Sequence, residues 1–323
     1  MKSDISSTKW PDTGKLITAL HGPHNYLPTP FLPNYELDAE GLRRNVSYHA
    51  ENDLRPMTVL VAGGYGEGWK LSVEEHAQAV VAAVAGARGR MPVMAGIIGG
   101  YKICLQQAAN AQKAGADALL IFPPRGTHHP AEGYYEFYKG IINSVSIATT
   151  ILPSGCHDFW PRIITRLAEF ENMIGFFPPG GDDDYYTNVG KQVMQAVSKP
   201  FLWIGENEDQ TAPCFQFGCK AYSTAGATFA PEASWQFWEH GVAGEAESMQ
   251  QVFENDIAPV LAIRELQSSD GMNTIKVAME ALGRAGGVTR PPGLQVTAAA
   301  RHSIVQILQN HRETRSQVVE KNR

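Results

Sequence analysis

The stretch "MPVMAGIIGGYKICLQQAANAQKAGADALLIFPP", Met91 to Pro124, contains two apolar runs separated by a longer amphipathic segment. The first run, MPVMAGIIGG, and the last, DALLIFPP, are almost continuous in apolar residues, as is typical of strands buried on both faces of a parallel sheet. The segment between them has helical spacing and ends at Gly115, a residue type that commonly terminates helices. The stretch therefore predicts a strand–helix–strand unit with parallel strands.

The same alternation continues through most of the chain. We predict a first strand at Leu16–Gly22 and an eighth, the most polar, at Lys220–Pro231. The other six predicted strands are Met57–Gly64, Met91–Gly100, Asp117–Pro124, Val145–Pro153, Met173–Pro179 and Pro200–Glu206. Eight strands with helical segments between them predict an α/β fold, a (β/α)8 TIM barrel. A doubly wound open sheet is the alternative, but it more often carries a glycine-rich fingerprint after its first strand, and "HGPHNYLPTPF" is not one.

Local helix signals and the end of the pattern define the predicted domains. Ser72 and Glu75 form a capping box, and Pro161 suits a first helical turn. We predict a polar N-terminal segment at 1–15, the barrel at 16–231 and a C-terminal helical extension at 232–323.

Composition excludes several classes of protein. The chain has 27 basic and 33 acidic residues, a net charge of −6, and lacks a basic run, which argues against a nucleic-acid partner. Its four cysteines form no CxxC pair. The N-terminus lacks the apolar core of a signal peptide, and no apolar run approaches the ~20 residues that span a bilayer. We expect a cytoplasmic protein with no membrane partner.

In a barrel of this kind, the C-terminal strand ends and the loops after them form the active site. Arg125 follows the fourth predicted strand, where its guanidinium is suited to hold a substrate carboxylate or to form a structural ion pair. Asp182–Asp184 stand at a helix N-terminus, where carboxylates complement the helix dipole. Together with Glu206–Asp209 they also leave open a divalent-cation site.

The stretch "VLVAGGYGEGWKLSVEEH", Val59 to His76, carries a family resemblance. It is similar to the strand-two motif of the dihydrodipicolinate synthase / N-acetylneuraminate lyase family, which are pyruvate-dependent lyases of the class I aldolase superfamily. "TPFLPNYELDAEGLRRNV", "FGCKAYSTAGATFAP" and "VTRPP" resemble other family segments in the same order. The resemblance covers roughly residues 16 to 310.

The resemblance implies a barrel with a C-terminal helical domain, often a homotetramer, that forms a Schiff base between a keto acid and a lysine at the end of strand six. In this chain the lysine position is Phe177, and no lysine occurs between Lys139 and Lys191. The tyrosine expected at the end of strand five falls at Thr149 or Thr150. The catalytic residues are therefore not assigned.

These observations favour a dihydrodipicolinate-synthase-like protein of the lyase family. We expect it to bind a small keto acid or sugar acid at the barrel mouth without Schiff-base chemistry, because phenylalanine has no nucleophile. The expected substrate-binding residues are Gly63, Gly64, Tyr65, Glu67, Arg125, Thr150, Phe177 and Glu206. The alternatives are a non-catalytic ligand-binding or regulatory relative and a metal-assisted lyase. The leading hypothesis requires no cofactor and no bound metal, and it includes a homo-oligomer, a dimer or a tetramer.

Overall fold

The computed structural model describes residues 12–51, 55–125, 129–266 and 272–321, with side chains up to residue 311. Eight parallel strands close into a barrel in which each strand pairs with its neighbours in chain order and β8 pairs with β1. The strands are β1 Gly22–Tyr26, β2 Thr58–Val61, β3 Val93–Ile97, β4 Ala118–Ile121, β5 Ala148–Ile151, β6 Met173–Phe176, β7 Leu202–Gly205 and β8 Ala221–Thr224. The predicted (β/α)8 barrel is confirmed.

Helices surround the barrel and continue beyond it. They are α1 Thr13–Ala19, α2 Ala39–Glu51, α3 Val73–Ala87, α4 Tyr101–Ala114, α5 Ala131–Ile142, α6 Trp160–Leu167, α7 Asp183–Ala196, α8 Glu208–Thr211, α9 Pro231–Ala243, α10 Ala246–Val252, α11 Ala258–Leu261, α12 Met272–Ala281 and α13 Ala298–Lys321. Shorter 3₁₀ turns lie at Gly68–Lys70, Ala212–Phe217, Gly226–Thr228 and Ala262–Leu266, and a π turn at Phe253–Ile257. No helix in the described ranges has the length and apolar character needed to cross a membrane.

The predicted helix signals appear at three of these helices. Ser72 and Glu75 form the reciprocal capping box at the start of α3. Gly115 ends α4 in the left-handed conformation, with φ 88°. Pro161 lies in the first turn of α6.

The prediction of a first strand at Leu16–Gly22 is wrong. Most of this segment belongs to α1, which begins after Asp12, whose side chain accepts a hydrogen bond from the backbone N–H of Lys15 at 2.8 Å. The apolar side chains Leu16, Ile17 and Leu20 pack inside the barrel against Ala118, Leu202 and Ala221, the first residues of β4, β7 and β8. Helix α1 therefore plugs the N-terminal end of the barrel.

The true first strand is polar, and each of its polar side chains has a buried partner. A ring nitrogen of His24 hydrogen-bonds the carbonyl of Leu20 at 2.8 Å. The amide of Asn25 contacts a ring nitrogen of His49 at 3.1 Å and accepts a hydrogen bond from the hydroxyl of Thr228 at 2.8 Å. These partners offset the cost of burying polar groups, so hydrophobicity alone does not identify the strand.

A register shift between β5 and β6 determines which side chains of β6 face the barrel interior. Thr149 pairs with Met173, but Thr150 pairs with Gly175, so Ile174 is an extra residue. Beyond this bulge Phe176 packs outside the barrel, stacked on Trp203. Phe177 joins the cluster inside the barrel.

Several long-range polar pairs join the C-terminal region to the loop that follows β2, and two of them hold Tyr65 and Glu67. The guanidinium of Arg264 donates a hydrogen bond to the hydroxyl of Tyr65 at 2.8 Å. The ammonium of Lys276, on α12, forms an ion pair with Glu67, and both side chains are almost completely buried. The helices after the barrel thus help to hold one wall of its mouth.

Candidate functional site

A cavity of about 300 Å³ opens at the C-terminal end of the barrel. Its position follows from four lining residues, each of which comes directly after the last residue of a strand: Ile98 after β3, Phe122 after β4, Leu152 after β5 and Glu206 after β7. The remaining lining residues are Trp69, Pro123, Arg125, Pro153, Ser154, Gly155 and Gly180. An apolar wall with a few polar groups is the composition expected of a small-molecule site.

Arg125 supplies the positive charge of this cavity. Its guanidinium carbon lies 4.3 Å from the centroid of the Trp69 ring, a cation–π distance that orients the side chain. None of the described carboxylates forms an ion pair with Arg125, and its side chain is exposed. The alternative that Arg125 forms a structural ion pair thus has no support within the described ranges. The guanidinium is available to an anionic ligand.

Glu206 supplies a carboxyl group to the same cavity. Burial raises the pKa of Glu206 above that of an ordinary glutamate, because the charged form loses solvation. Within the described parts of the chain its carboxylate has no ion-pair partner. A carboxyl group in this environment is suited to exchange protons with a bound ligand.

A smaller adjoining cavity, about 140 Å³, shares Trp69, Phe122, Leu152 and Glu206 with the first and adds Tyr26, Gly64 and Tyr65. The rings of Tyr26 and Tyr65 meet edge to face, with centroids 5.2 Å apart. Burial and the nearby Glu206 carboxylate raise the pKa of Tyr26, so its hydroxyl keeps its proton. The walls of the two adjoining cavities thus include two tyrosines, one glutamate and one arginine.

The loop after β2 owes its shape to close backbone packing. A Cβ atom on Gly66 would lie 2.6 Å from the backbone nitrogen of Ala62, so only glycine fits there. Ala62 and Glu67 have positive φ angles of 52° and 55°. The hydroxyl of Thr29 donates a hydrogen bond to the carbonyl of Gly66 at 2.5 Å and pins the loop to the segment after β1. Gly63 is buried beside Leu60 and Phe122.

Glu67 does not belong to the cavity wall formed by the described residues. It is fully buried, and its carboxylate pairs with Lys276 and with Lys70, whose ammonium lies 2.8 Å away. The arrangement is that of a structural ion cluster, which fixes the loop bearing Gly64 and Tyr65. Sequence spacing could not reveal it, since Lys276 is far away in the chain.

The two residues at the ends of β5 and β6 lie within the barrel. Phe177 is fully buried in the interior cluster against which Tyr65 packs, and it is not among the described residues that line either cavity. Thr150 also has no exposed surface, and its hydroxyl donates to the carbonyl of Leu119 at 2.9 Å. Thr149 bonds instead to the carbonyl of Asn172 at 3.0 Å, on the side that faces the helices.

The acidic residues considered as metal ligands have other contacts. Asp182 caps α7 by accepting a hydrogen bond from the backbone N–H of Tyr185 at 2.8 Å. Glu208 is buried and accepts a hydrogen bond from the hydroxyl of Thr224, while burial raises its pKa to about 7. In the described part of the chain, no three His, Cys, Asp or Glu side chains come close enough to hold a metal ion.

Sequence reasoning missed four residues that line the smaller cavity: Tyr26, Trp69, Phe122 and Leu152. Tyr26 was missed because the first strand was placed too early. Trp69 lies in the motif stretch but has no counterpart among the matched motif residues. Phe122 and Leu152 are the first residues beyond their strands, and a strand-end rule applied to apolar as well as polar residues would have found them.

Most of the chain matches known proteins. The model of the dihydrodipicolinate synthetase family matches residues 19–311. A probable 5-dehydro-4-deoxyglucarate dehydratase from Bradyrhizobium diazoefficiens is 30% identical over 274 residues, which are 83% of this chain and 85% of the relative. A protein of the same description from Bacillus licheniformis is 28% identical over 87% of this chain and 91% of the relative.

Solved structures agree in fold. Dihydrodipicolinate synthase from Aquifex aeolicus superposes with a TM-score of 0.80 at 22% identity, over 90% of this chain and 98% of that one. N-acetylneuraminate lyase from Mycoplasma synoviae superposes with a TM-score of 0.78 at 17% identity, over 91% of this chain and 98% of the lyase. At these identities the likeness establishes the architecture alone.

Proposed function

We propose, since the chain belongs to the dihydrodipicolinate synthetase family, that its barrel mouth binds a small keto acid or sugar acid through Arg125. We further propose that the protein works without an imine at the end of β6. The observation that carries the proposal is the guanidinium of Arg125, which is stacked on Trp69 and faces the cavity beyond β4 without a carboxylate partner in the described ranges.

The chemistry of Arg125 favours a carboxylate ligand. A guanidinium presents parallel N–H donors that match the two oxygens of a carboxylate, and such charge-assisted pairs are stronger than neutral hydrogen bonds. The Trp69 ring restricts the side chain, so less conformational entropy is lost on binding. A cavity of about 300 Å³ is at the small end of ligand sites, in keeping with a compact acid.

The similar proteins narrow the expected class of ligand. Two of them bear the description probable 5-dehydro-4-deoxyglucarate dehydratase, which names a sugar acid. Glu206 and the hydroxyls of Tyr26 and Tyr65 provide acceptors and donors for the hydroxyl groups of such a molecule. We therefore assign a polyhydroxylated acid as the preferred ligand and simple keto acids as weaker ones.

The proposal of a reaction without an imine rests on the amines available. Imine formation needs an unprotonated primary amine at the carbonyl carbon. Phe177 stands at the end of β6, and none of the described lysines lines either cavity. Lys102, which follows β3 in the chain, is exposed in the first turn of α4.

The test combines binding and trapping. Thermal shifts are measured with pyruvate, 2-oxoglutarate and 5-dehydro-4-deoxyglucarate for the wild type, Arg125→Gln and the control Lys113→Gln, which alters an outlying lysine on α4. We expect stabilisation by the acids that is lost in Arg125→Gln only. Intact-mass spectrometry after pyruvate and borohydride is expected to show no adduct. Equal shifts in the wild type and Arg125→Gln would refute the role of Arg125, and an adduct on a lysine would refute the imine-free proposal.

A non-catalytic ligand-binding role is the second candidate. It is favoured by the same absence of an amine from the described cavity wall. Incubation of the wild type with 5-dehydro-4-deoxyglucarate, followed by NMR, separates the two candidates. Binding without consumption of the acid supports the binding role, and consumption supports a lyase.

A further inference from the structure

Glu206 and Tyr65 line the smaller of the two cavities, which shares four wall residues with the cavity that holds Arg125. Glu206 lies beyond β7 and Tyr65 lies in the loop beyond β2, so the two groups approach the space from different strand ends. Their positions are fixed by separate parts of the fold, and a ligand anchored by Arg125 would have one on each side.

We propose, building on ligand binding at this site, that Glu206 is the catalytic base and acid of a water elimination, and that Tyr65 stabilises the charge that develops on the ligand carbonyl oxygen. The ligand class is a keto acid with a hydroxyl group β to its ketone. The proposal assigns a proton-transfer role to a carboxyl group in a barrel whose β6 end carries phenylalanine.

The environment of Glu206 supports proton transfer. Its carboxyl group is held in the cavity wall without a cation partner in the described ranges, and burial raises its pKa, which makes the carboxylate a stronger base than an exposed one. The neighbouring apolar residues Phe122 and Leu152 limit water around the group. Both features favour transfer to a ligand atom over transfer to solvent.

The environment of Tyr65 supports the donor role. Its hydroxyl oxygen accepts a hydrogen bond from the guanidinium of Arg264 at 2.8 Å. Because that contact occupies a lone pair of the oxygen, the phenolic O–H is left to donate, and the positive charge of Arg264 polarises it. A donor fixed before the ligand arrives costs no reorganisation when the oxyanion forms.

The steps balance without a co-reactant. The Glu206 carboxylate removes a proton from the carbon beside the ketone, and the C–H electron pair forms the enolate, whose oxygen accepts the Tyr65 O–H. The enolate then re-forms the ketone and a carbon–carbon double bond as the β C–O bond breaks. The departing hydroxide takes the proton from Glu206 and leaves as water, so the carboxylate is regenerated and the net change is loss of one water molecule.

The first experiment measures proton abstraction separately from elimination. Pyruvate in D₂O, which has exchangeable protons but no β-hydroxyl, is followed by NMR with the wild type, Glu206→Gln, Glu206→Asp and Tyr65→Phe. The control is Asp209→Asn, an exposed carboxylate on α8 outside both cavity walls. We expect methyl exchange with the wild type and Asp209→Asn, a loss of about 100-fold or more in Glu206→Gln, and intermediate rates in Glu206→Asp and Tyr65→Phe.

The second experiment uses 5-dehydro-4-deoxyglucarate and follows water elimination and thermal shift in the same variants. Glu206→Gln is expected to lose elimination but to bind the acid with an apparent affinity, as read from the thermal shift, within about 3-fold of that of the wild type. Exchange at the wild-type rate in Glu206→Gln or Tyr65→Phe would overturn the corresponding role. A wild type that binds but neither exchanges nor eliminates would overturn the inference and leave ligand binding intact. A wild type that binds none of the acids would instead overturn the proposed function.

Discussion

Replacing Lys276 with methionine should destabilise the protein far more than its distance from the barrel strands suggests. Lys276 belongs to α12, and its ammonium pairs with the carboxylate of Glu67; the exposed fractions of the two side chains are 1% and 0%. Methionine retains most of the aliphatic chain that packs near Phe31, whose ring centroid lies 4.4 Å from the ammonium. The substitution therefore removes the charge with little loss of volume.

The magnitude follows from what remains around Glu67. Removing one partner of a buried pair typically costs about 3–5 kcal/mol, because the other charge stays buried. Lys70, with an exposed fraction of 6%, remains 2.8 Å from Glu67, so we expect the low end, about 3 kcal/mol. The exposed pair of Arg43 and Glu40 gives a matched control, and Arg43→Met should cost less than about 1 kcal/mol.

Urea unfolding followed by circular dichroism measures both variants. The double variant Glu67→Gln/Lys276→Met should recover part of the loss, because it no longer buries an unmatched carboxylate. The reasoning is refuted if Lys276→Met is no more destabilising than Arg43→Met. It is also refuted if the double variant loses more unfolding free energy than the two single variants lose in sum.

Four other expectations follow from the structure. Phe177→Lys should permit weak borohydride trapping of pyruvate, as read by intact mass, with little turnover, because the family resemblance places Thr149 or Thr150 where it implies a tyrosine. Trp69→Ala should weaken acid binding by about 5-fold or more in titration calorimetry, since the Arg125 guanidinium loses the ring that orients it. Glu208→Gln should flatten the pH dependence of the free energy of unfolding. Because burial raises the folded-state pKa of Glu208 to about 7, its contribution to the free energy of unfolding is full below about pH 4.5 and falls by about 3 kcal/mol as the pH rises to 7. Urea unfolding at pH 4.5 and 7.5 should therefore separate the wild type from the variant. One thiol, Cys156, should react quickly with a colorimetric disulfide reagent in the native state and all four after denaturation, since the other three are buried.

Seven of the eight strands could be predicted from the alternation of short buried runs with helical segments, since parallel barrel strands are buried on both faces and most of these seven have nearly continuous apolar sequences. The first strand broke that rule. Its side chains His24 and Asn25 are paired with Leu20, His49 and Thr228, contacts that no local pattern reveals. The apolar residues beside it belong to α1, where they plug the barrel end.

The mouth was predictable only in part, for a related reason. Arg125, Glu206 and Tyr65 follow strand ends, and the strand-end rule places them at one opening. Glu67 also follows a strand end, but its carboxylate forms an ion pair with Lys276, which lies on α12 beyond the barrel. The sequence shows which groups follow strand ends, but it does not show which of them form ion pairs with cations from distant parts of the chain.

The bulge at Ile174 leaves β6 with an unusual tolerance to change in its length. Two adjacent phenylalanines follow it, Phe176 outside the barrel and Phe177 inside. Deleting the extra residue Ile174 would leave the pairings of Thr150 with Gly175 and of Ile151 with Phe176 in place, so Phe176 would stay outside the barrel and Phe177 inside. In a strand without a bulge, the loss of one residue would instead move every later side chain to the opposite face. The bulge is thus the position at which this strand can lose a residue while the end of the strand keeps its register.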